Sequence, residues 1–133
     1  MVIRLTSTLL LLVCLAGCKA IDGTYFPGCA AYAGDRVELR NGRFKWDKFT
    51  DAIEVDEAGK PVDSFPDYPK HGDYRIDDTT LTFTFEGGGP TETFHIHEHE
   101  SMGLQLLTDA QLAAVEVGGL DEDCALTQVG PKE

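Results

Sequence analysis

The dipeptide Asn41-Gly42 constrains the fold of this chain more than any other feature of its sequence. Asn-Gly favours the type I′ turn of a two-residue β-hairpin, because both residues tolerate positive φ. Folding the chain about this turn brings apolar side chains together on one face and opposite charges together on the other. The predicted cross-strand pairs are Val37 with Trp46, Leu39 with Phe44, and Glu38 with Lys45. The sequence therefore predicts an antiparallel hairpin in a single register.

A second stretch, residues 72–98, alternates apolar and polar side chains with the period of two that is typical of β-strands. The apolar positions are Tyr74, Ile76, Leu81, Phe83, Phe85, Phe94 and Ile96. Several of the positions between them hold threonine, which favours strands. Turns are predicted at 77–78 and at 87–90. The register that continues the apolar face pairs Phe83 with Phe94 and Leu81 with Ile96.

Weaker patterns complete the chain. Strands are also predicted at 23–26, 51–56, 103–107 and 124–129. The second of these turns at 57–60 toward Val62, and residues 65–69 form a loop because prolines cannot donate to a ladder. Thr108 begins a Thr-x-x-Gln capping box, which predicts one short helix near 109–115. Together these patterns predict an all-β fold, an antiparallel meander forming a small barrel or a flattened sandwich.

The first residues of the chain have the order of a secretory signal, with a basic start, a short apolar segment and a small-residue cleavage site. Arg4 precedes the apolar run 9–15, which is far shorter than the roughly 20 residues needed to cross a bilayer. The run ends in Leu15-Ala16-Gly17-Cys18, which resembles the bacterial lipobox. The resemblance implies cleavage before Cys18 and a lipid on its sulfur. It divides the chain into a signal peptide (1–17), a lipidated tether (18–22) and one β-domain (23–133).

The lipobox resemblance also implies a location. One acyl chain binds a membrane only marginally, whereas two or more anchor a protein stably. A lipobox cysteine carries a diacylglyceryl group and usually a third chain, so the resemblance implies a lasting membrane anchor at Cys18. Lys19 stands where an aspartate would favour retention in the inner membrane. The expected location is the bacterial outer membrane, with the domain facing the periplasm.

The four cysteines of the chain have different expected roles. Cys14 leaves with the signal peptide, and Cys18 carries the lipid. Cys29 and Cys124 remain, one near each end of the folded part, and an oxidising compartment favours a disulfide between them. The alternative is a metal or redox pair, although the chain has no Cys-x-x-Cys.

Three short motifs resemble the small lipocalin-like barrels of many bacterial lipoproteins. They are Gly23-x-Tyr25, Gly72-x-Tyr74-x-Ile76 and Leu81-x-Phe83-x-Phe85. The segment from Gly23 to Ala30 also resembles the barrel of NlpE-type lipoproteins, which act in envelope stress and copper homeostasis. Two departures limit the likeness: lipocalins usually have tryptophan at the place of Tyr25, and the NlpE type has Cys-x-x-Cys where this chain has Cys29 alone. The resemblance therefore implies the barrel but not a copper role.

His95, His97 and His99 alternate along one predicted strand and project from the face opposite Phe94 and Ile96. Imidazoles at this spacing suit Zn²⁺ or Cu²⁺, so the three residues are a candidate metal site. Two alternatives stay open. The histidines are the solvated face of an antiparallel strand, or they form a pH sensor, because imidazoles gain charge as the pH falls toward 6.

The charge balance narrows the range of partners. The formal net charge is −12, which repels phosphate backbones and anionic head groups, so no nucleic-acid partner is expected. Cationic partners are electrostatically permitted, and solubility is the plainer explanation of the charge. The sequence has no Gly-x-Ser-x-Gly, His-Glu-x-x-His, phosphate-binding glycine loop or dinucleotide motif, so no enzyme activity is expected.

The expected function is that of a monomeric, membrane-anchored periplasmic lipoprotein acting as a non-catalytic binding, sensing or envelope-maintenance module. No cofactor is expected apart from the covalent lipid. One alternative is Zn or Cu binding through the histidine face. The other is transport of a small apolar ligand in the barrel, which requires a cavity where close packing would otherwise fill the interior.

Overall fold

The computed structural model describes residues 20–118 and 124–130. The predicted signal peptide (1–17), Cys14 and the predicted lipidation site Cys18 lie outside the described residues. Within the described ranges, no helix is both long enough and apolar enough to cross a membrane.

Eight antiparallel strands close into a barrel, with each strand paired to the next along the chain and the last paired to the first. The strands are β1 (Gly23–Pro27), β2 (Ala33–Arg40), β3 (Arg43–Thr50), β4 (Lys70–Asp77), β5 (Thr80–Phe85), β6 (Glu92–His99), β7 (Gly103–Leu107) and β8 (Leu126–Gln128). One helix, α1 (Asp109–Glu116), lies between β7 and β8 in the sequence. The predicted all-β antiparallel fold with one short helix is confirmed, and the chain adopts the barrel rather than the sandwich.

The hairpin of β2 and β3 has the predicted register. Asn41 and Gly42 have positive φ values of 51° and 80°, as a type I′ turn requires. The cross-strand pairs are Val37 with Trp46, Leu39 with Phe44, and Glu38 with Lys45. The apolar members are buried and Glu38 is exposed, so the alternation along these strands separates the interior of the barrel from its outer face.

The register between β5 and β6 differs from the predicted one by two residues. The observed pairs are Leu81 with Phe94 and Phe83 with Glu92, where the prediction paired Leu81 with Ile96 and Phe83 with Phe94. A shift of two residues leaves every side chain on the same face, so the apolar alternation cannot separate the two registers. The connecting loop decides between them. Its first turn is closed by a 3.2 Å hydrogen bond from the Gly88 N–H to the Phe85 carbonyl oxygen.

The prediction of a strand at 51–56 is wrong, because residues 51–69 form a loop that connects β3 to β4. Only one isolated bridge, between Val55 and Pro61, remains of the predicted pairing. The predicted turn is present, since the Asp56 N–H donates to the Lys60 carbonyl oxygen at 2.9 Å. Ile53 is 81% exposed, so this apolar alternation faces no core that could hold a strand in place.

The other predicted elements are confirmed with adjusted bounds. The strand predicted at 124–129 is the shorter β8, and the helix predicted at 109–115 extends by one residue to Glu116. Thr108 caps this helix through the predicted capping box with Gln111.

The disulfide between Cys29 and Cys124 is also present, with the two Cα atoms 4.6 Å apart. It joins the residues after β1 to those before β8, where the barrel closes.

Side chains fill the centre of the barrel. The buried core residues are Ile21, Tyr25, Val37, Leu39, Phe44, Trp46, Tyr74, Leu81, Phe83, Phe94, Leu106 and Leu126. Neighbouring aromatic rings are in direct contact, with the Phe44 and Phe83 centroids 4.5 Å apart. Close packing of this kind leaves the middle of the barrel as a core rather than a channel.

Candidate functional site

The two rims of the barrel differ. Successive strands run in opposite directions, so the starts of odd-numbered strands and the ends of even-numbered strands lie on the same rim. We call this the closed rim; it includes the start of β1 and the turns at 41–42 and 78–79. The open rim is the opposite one, and it includes the disulfide and the loop 51–69.

The residues just before β1 plug the closed rim. Ile21 is buried, and its carbonyl oxygen accepts a 2.6 Å hydrogen bond from the hydroxyl of Tyr25. The carboxylate of Asp22 accepts a 2.5 Å bond from the hydroxyl of Tyr74 and a 3.0 Å bond from the backbone N–H of Asn41. Ile21 and Asp22, which the sequence assigned to the tether, therefore pack as part of the folded domain.

The hydroxyl of Tyr25 stays neutral in this position. Burial raises the pKa of Tyr25 well above its ordinary value, and the nearby Tyr74 and Asp22 raise this pKa further. The neutral hydroxyl is the form that can donate to the Ile21 carbonyl. The plug of the closed rim is therefore held by a hydrogen bond that persists across the physiological pH range.

The open rim contains a pocket of about 790 Å³. This volume lies within the range of roughly 300–1,000 Å³ that is typical of small-molecule sites. The local pairing explains the opening: β3 pairs with β4 only over Arg43–Trp46, and the rest of β3 pairs with β2 alone. The wall of the barrel is therefore incomplete beside the second half of β3, and the pocket opens there.

Aromatic rings form the floor of the pocket. Trp46, the single tryptophan of the chain, lies 5.9 Å from Phe85 and 5.6 Å from Phe94 between ring centroids. The indole N–H of Trp46 donates to Asp35 at 3.1 Å, which satisfies its polar atom and fixes the orientation of the ring. The floor is thus an apolar aromatic surface at the end of the packed core that faces the open rim.

Two ammonium groups stand on the wall of the pocket beside one aromatic ring. The Nζ atoms of Lys48 and Lys70 lie 5.2 and 5.0 Å from the ring centroid of Tyr68, which is cation–π distance. The Nζ atom of Lys70 is also 5.7 Å from the ring centroid of Phe85. Lys48 forms a 2.9 Å ion pair with Asp35, and this hydrogen-bonded partner raises the pKa of Lys48. The wall therefore carries two ammonium groups, although the chain as a whole is strongly acidic.

Two further carboxylates border the pocket. Glu86 forms an ion pair with Arg43, which also pairs with Asp73 at 2.6 Å. Glu92 begins β6 opposite Phe83, and it forms no ion pair with any residue in 20–118 or 124–130. Of these two charges, only that of Glu92 is left uncompensated at the open rim.

The three histidines of β6 lie on the outer face of the barrel, opposite Phe94. His95 Nε2 lies 2.5 Å from the carboxylate of Asp109 on α1. His99 Nδ1 accepts hydrogen bonds from the backbone N–H groups of the turn that follows β6. The rings of His97 and His99 have centroids 6.4 Å apart. Across the described residues, no group of three or more His, Cys, Asp or Glu side chains is arranged to hold a metal ion.

The residues on the wall of the pocket were not predicted from the sequence. The sequence did contain a pattern that predicts two of them. Every second residue of β3 and β2 points inward, so Lys48 points inward like Trp46, and Asp35 points inward like Val37. The alternation cannot predict Tyr68, because this residue belongs to the loop 51–69 and the path of that loop brings it to the pocket.

In comparisons with protein-family models, curated proteins and solved structures, the chain matched none. The geometry of the open rim is therefore the basis for a functional hypothesis.

Proposed function

We propose that this protein is a membrane-anchored lipoprotein of the bacterial cell envelope that binds a small ligand, without catalysis, in the pocket at its open rim. The observation that carries the proposal is the pocket of about 790 Å³ with Trp46, Phe85 and Phe94 in its lining. Because side chains fill the centre of the barrel, the ligand lies at the rim and is not enclosed.

The positions of the two rims support a periplasmic route for the ligand. The predicted lipidation site, Cys18, comes shortly before Ile21 and Asp22, which plug the closed rim. A domain anchored from that rim holds its open rim away from the bilayer. The ligand then enters from the aqueous periplasm and not from among the acyl chains.

Fluorescence of the single tryptophan tests the binding site. N-phenyl-1-naphthylamine, a neutral probe with two apolar ring systems, is expected to quench the emission of Trp46 saturably in the purified protein. Phe85→Ala removes part of the pocket floor and should weaken this binding by about tenfold, the equivalent of about 1.4 kcal/mol of lost apolar contact. Phe49→Ala is the matched control, because Phe49 packs against Phe26 on the outer face. Absence of saturable quenching, or equal weakening in both variants, contradicts the proposal.

Cell fractionation tests the anchor. The natural protein and a Cys14→Ser variant are expected in the membrane fraction, because Cys14 precedes the predicted cleavage site. Cys18→Ser removes the only sulfur that the lipobox resemblance marks for lipid, and [³H]palmitate labelling of the protein should disappear. Continued labelling of Cys18→Ser would show that the lipobox assignment is wrong.

A further inference from the structure

We propose that the ligand of the open-rim pocket is an amphipathic organic anion. Its apolar ring lies on the aromatic floor, and its carboxylate or sulfonate group is held by Lys70 together with Lys48. This inference rests on the proposed function and names the ligand class for the same pocket.

Positive charge is concentrated at one wall of the pocket. The chain has 23 acidic residues and only 11 lysines and arginines, yet two ammonium groups meet at one pocket wall. Both residues occupy inward positions, since Lys48 follows Trp46 by two residues on β3 and Lys70 precedes the buried Gly72 by two residues on β4. An inward lysine at a barrel mouth faces whatever enters the pocket.

The two ammonium groups of the wall differ in their ion pairing. Lys48 is held in place by its ion pair with Asp35, whose carboxylate is in turn bonded by Trp46. Lys70 lies against the rings of Tyr68 and Phe85 and forms no ion pair with a carboxylate anywhere in 20–118 or 124–130. Its charge is therefore available to an incoming anion, and the neighbouring rings restrict its motion.

The same geometry disfavours a cationic ligand. The aromatic faces of Tyr68 and Phe85 would suit a cation, but ammonium groups of the protein already stand 5.0 to 5.7 Å from their centroids. A second cation at these rings meets like charge at short range, which is unfavourable. An anion meets opposite charge at the same place.

The carboxylate of Glu92 opposes this preference from the other side of β5. It borders the pocket without an ion-pair partner among the described residues. Replacing it by glutamine removes a repulsive charge while keeping the size of the side chain. Glu92→Gln should therefore bind an anionic probe more tightly than the natural protein does.

Two probes that share the same two aromatic ring systems separate the effect of charge from that of apolar contact. N-phenyl-1-naphthylamine is neutral, and 8-anilinonaphthalene-1-sulfonate is the same molecule with one sulfonate group. Quenching of Trp46 gives a dissociation constant for each probe. The ratio of the neutral to the anionic constant measures the preference for the anion within each variant. Lys70→Gln should lower this ratio about fivefold to tenfold. Lys48→Gln should lower it as well, because it leaves the carboxylate of Asp35 unpaired at the same wall. Lys45→Gln, on the outer face of the same strand as Lys48, should leave it unchanged.

The outcomes distinguish the two proposals. A ratio lowered by Lys70→Gln but not by Lys45→Gln, and raised by Glu92→Gln, supports the anionic ligand. Saturable binding of both probes with a ratio that Lys70→Gln leaves unchanged overturns the anionic ligand and keeps the binding pocket. If neither probe quenches Trp46 saturably, both proposals fail.

Discussion

The hydroxyl of Tyr74 donates a 2.5 Å hydrogen bond to the carboxylate of Asp22, a residue 52 positions earlier in the chain. This contact joins β4 to the segment that precedes β1, across the interior of the closed rim. It makes the residues nearest the predicted lipidation site part of the barrel and leaves the opposite rim as the open end.

Loss of the Tyr74 hydroxyl should loosen the closed rim. Tyr74→Phe removes the donor to Asp22 and keeps the ring in the core, so we expect a loss of about 1 to 3 kcal/mol in the free energy of unfolding. Urea unfolding measures the change. Tyr32→Phe is the control, because Tyr32 is 81% exposed and its hydroxyl is solvated. Equal stability of Tyr74→Phe and the natural protein contradicts the role given to this bond.

Tyr25 should make the stability of the protein fall at alkaline pH. The pKa of Tyr25 in the folded state is raised above its ordinary value of 10.0, so the unfolded chain releases this proton first. The stabilisation is complete below pH 10 and is lost as the pH rises above it, by up to about 1.4 kcal/mol per pH unit for one proton. Tyr25→Phe should have a lower stability at pH 8 but a shallower decline between pH 10 and 11.5. Parallel declines in the two proteins would rule out this assignment.

Gly72 should tolerate no side chain. A Cβ atom built there lies 1.9 Å from the Thr84 carbonyl oxygen and 2.7 Å from the ring of Phe44. Gly72→Ala must therefore move a strand backbone or a core ring, and we expect a loss of about 3 kcal/mol. Gly130→Ala is the control, because nothing lies within 4 Å of its Cβ position. Thermal unfolding compares the two, and a Gly72→Ala variant as stable as its control would show that the packing described for β4 and β5 is wrong.

The disulfide should contribute substantially to stability because it closes a long loop. Cys29 and Cys124 are 95 positions apart, and in the chain-entropy model such a crosslink stabilises by about 4 to 5 kcal/mol. The double variant Cys29→Ser, Cys124→Ser should lose that amount in urea unfolding. A reductant should bring the natural protein to the same stability and should leave the double variant unchanged. A reductant effect of similar size on both proteins would contradict this explanation.

Local chemistry determined much of the fold. Asn41-Gly42 set the register of the β2–β3 hairpin, because few residues accept two successive positive φ values. Thr108 and Gln111 set the start of the helix through reciprocal hydrogen bonds within one turn. The alternation of apolar residues assigned side chains to the interior, and the two remaining cysteines predicted the disulfide.

Tertiary structure decided what depends on contacts between distant residues. The apolar alternation of period two cannot determine the register of β5 against β6, because a shift of two residues leaves the alternation unchanged. Residues 51–56 were predicted as a strand, but the barrel closes without them. The same holds for the pocket. The inward position of Lys48 follows from the alternation that already places Trp46 inside, whereas no local sequence pattern predicts that Tyr68, a loop residue, lies beside Lys48.

By itself, then, the sequence determined most of the strands and which way their side chains point, because these follow from the preferences of near neighbours. Only the closed barrel decided that Ile21 and Asp22 plug one rim while Lys48, Lys70 and Tyr68 meet at the other. The physical reason is that barrel closure brings the ends of alternate strands to the same rim, where residues far apart in the chain share one pocket.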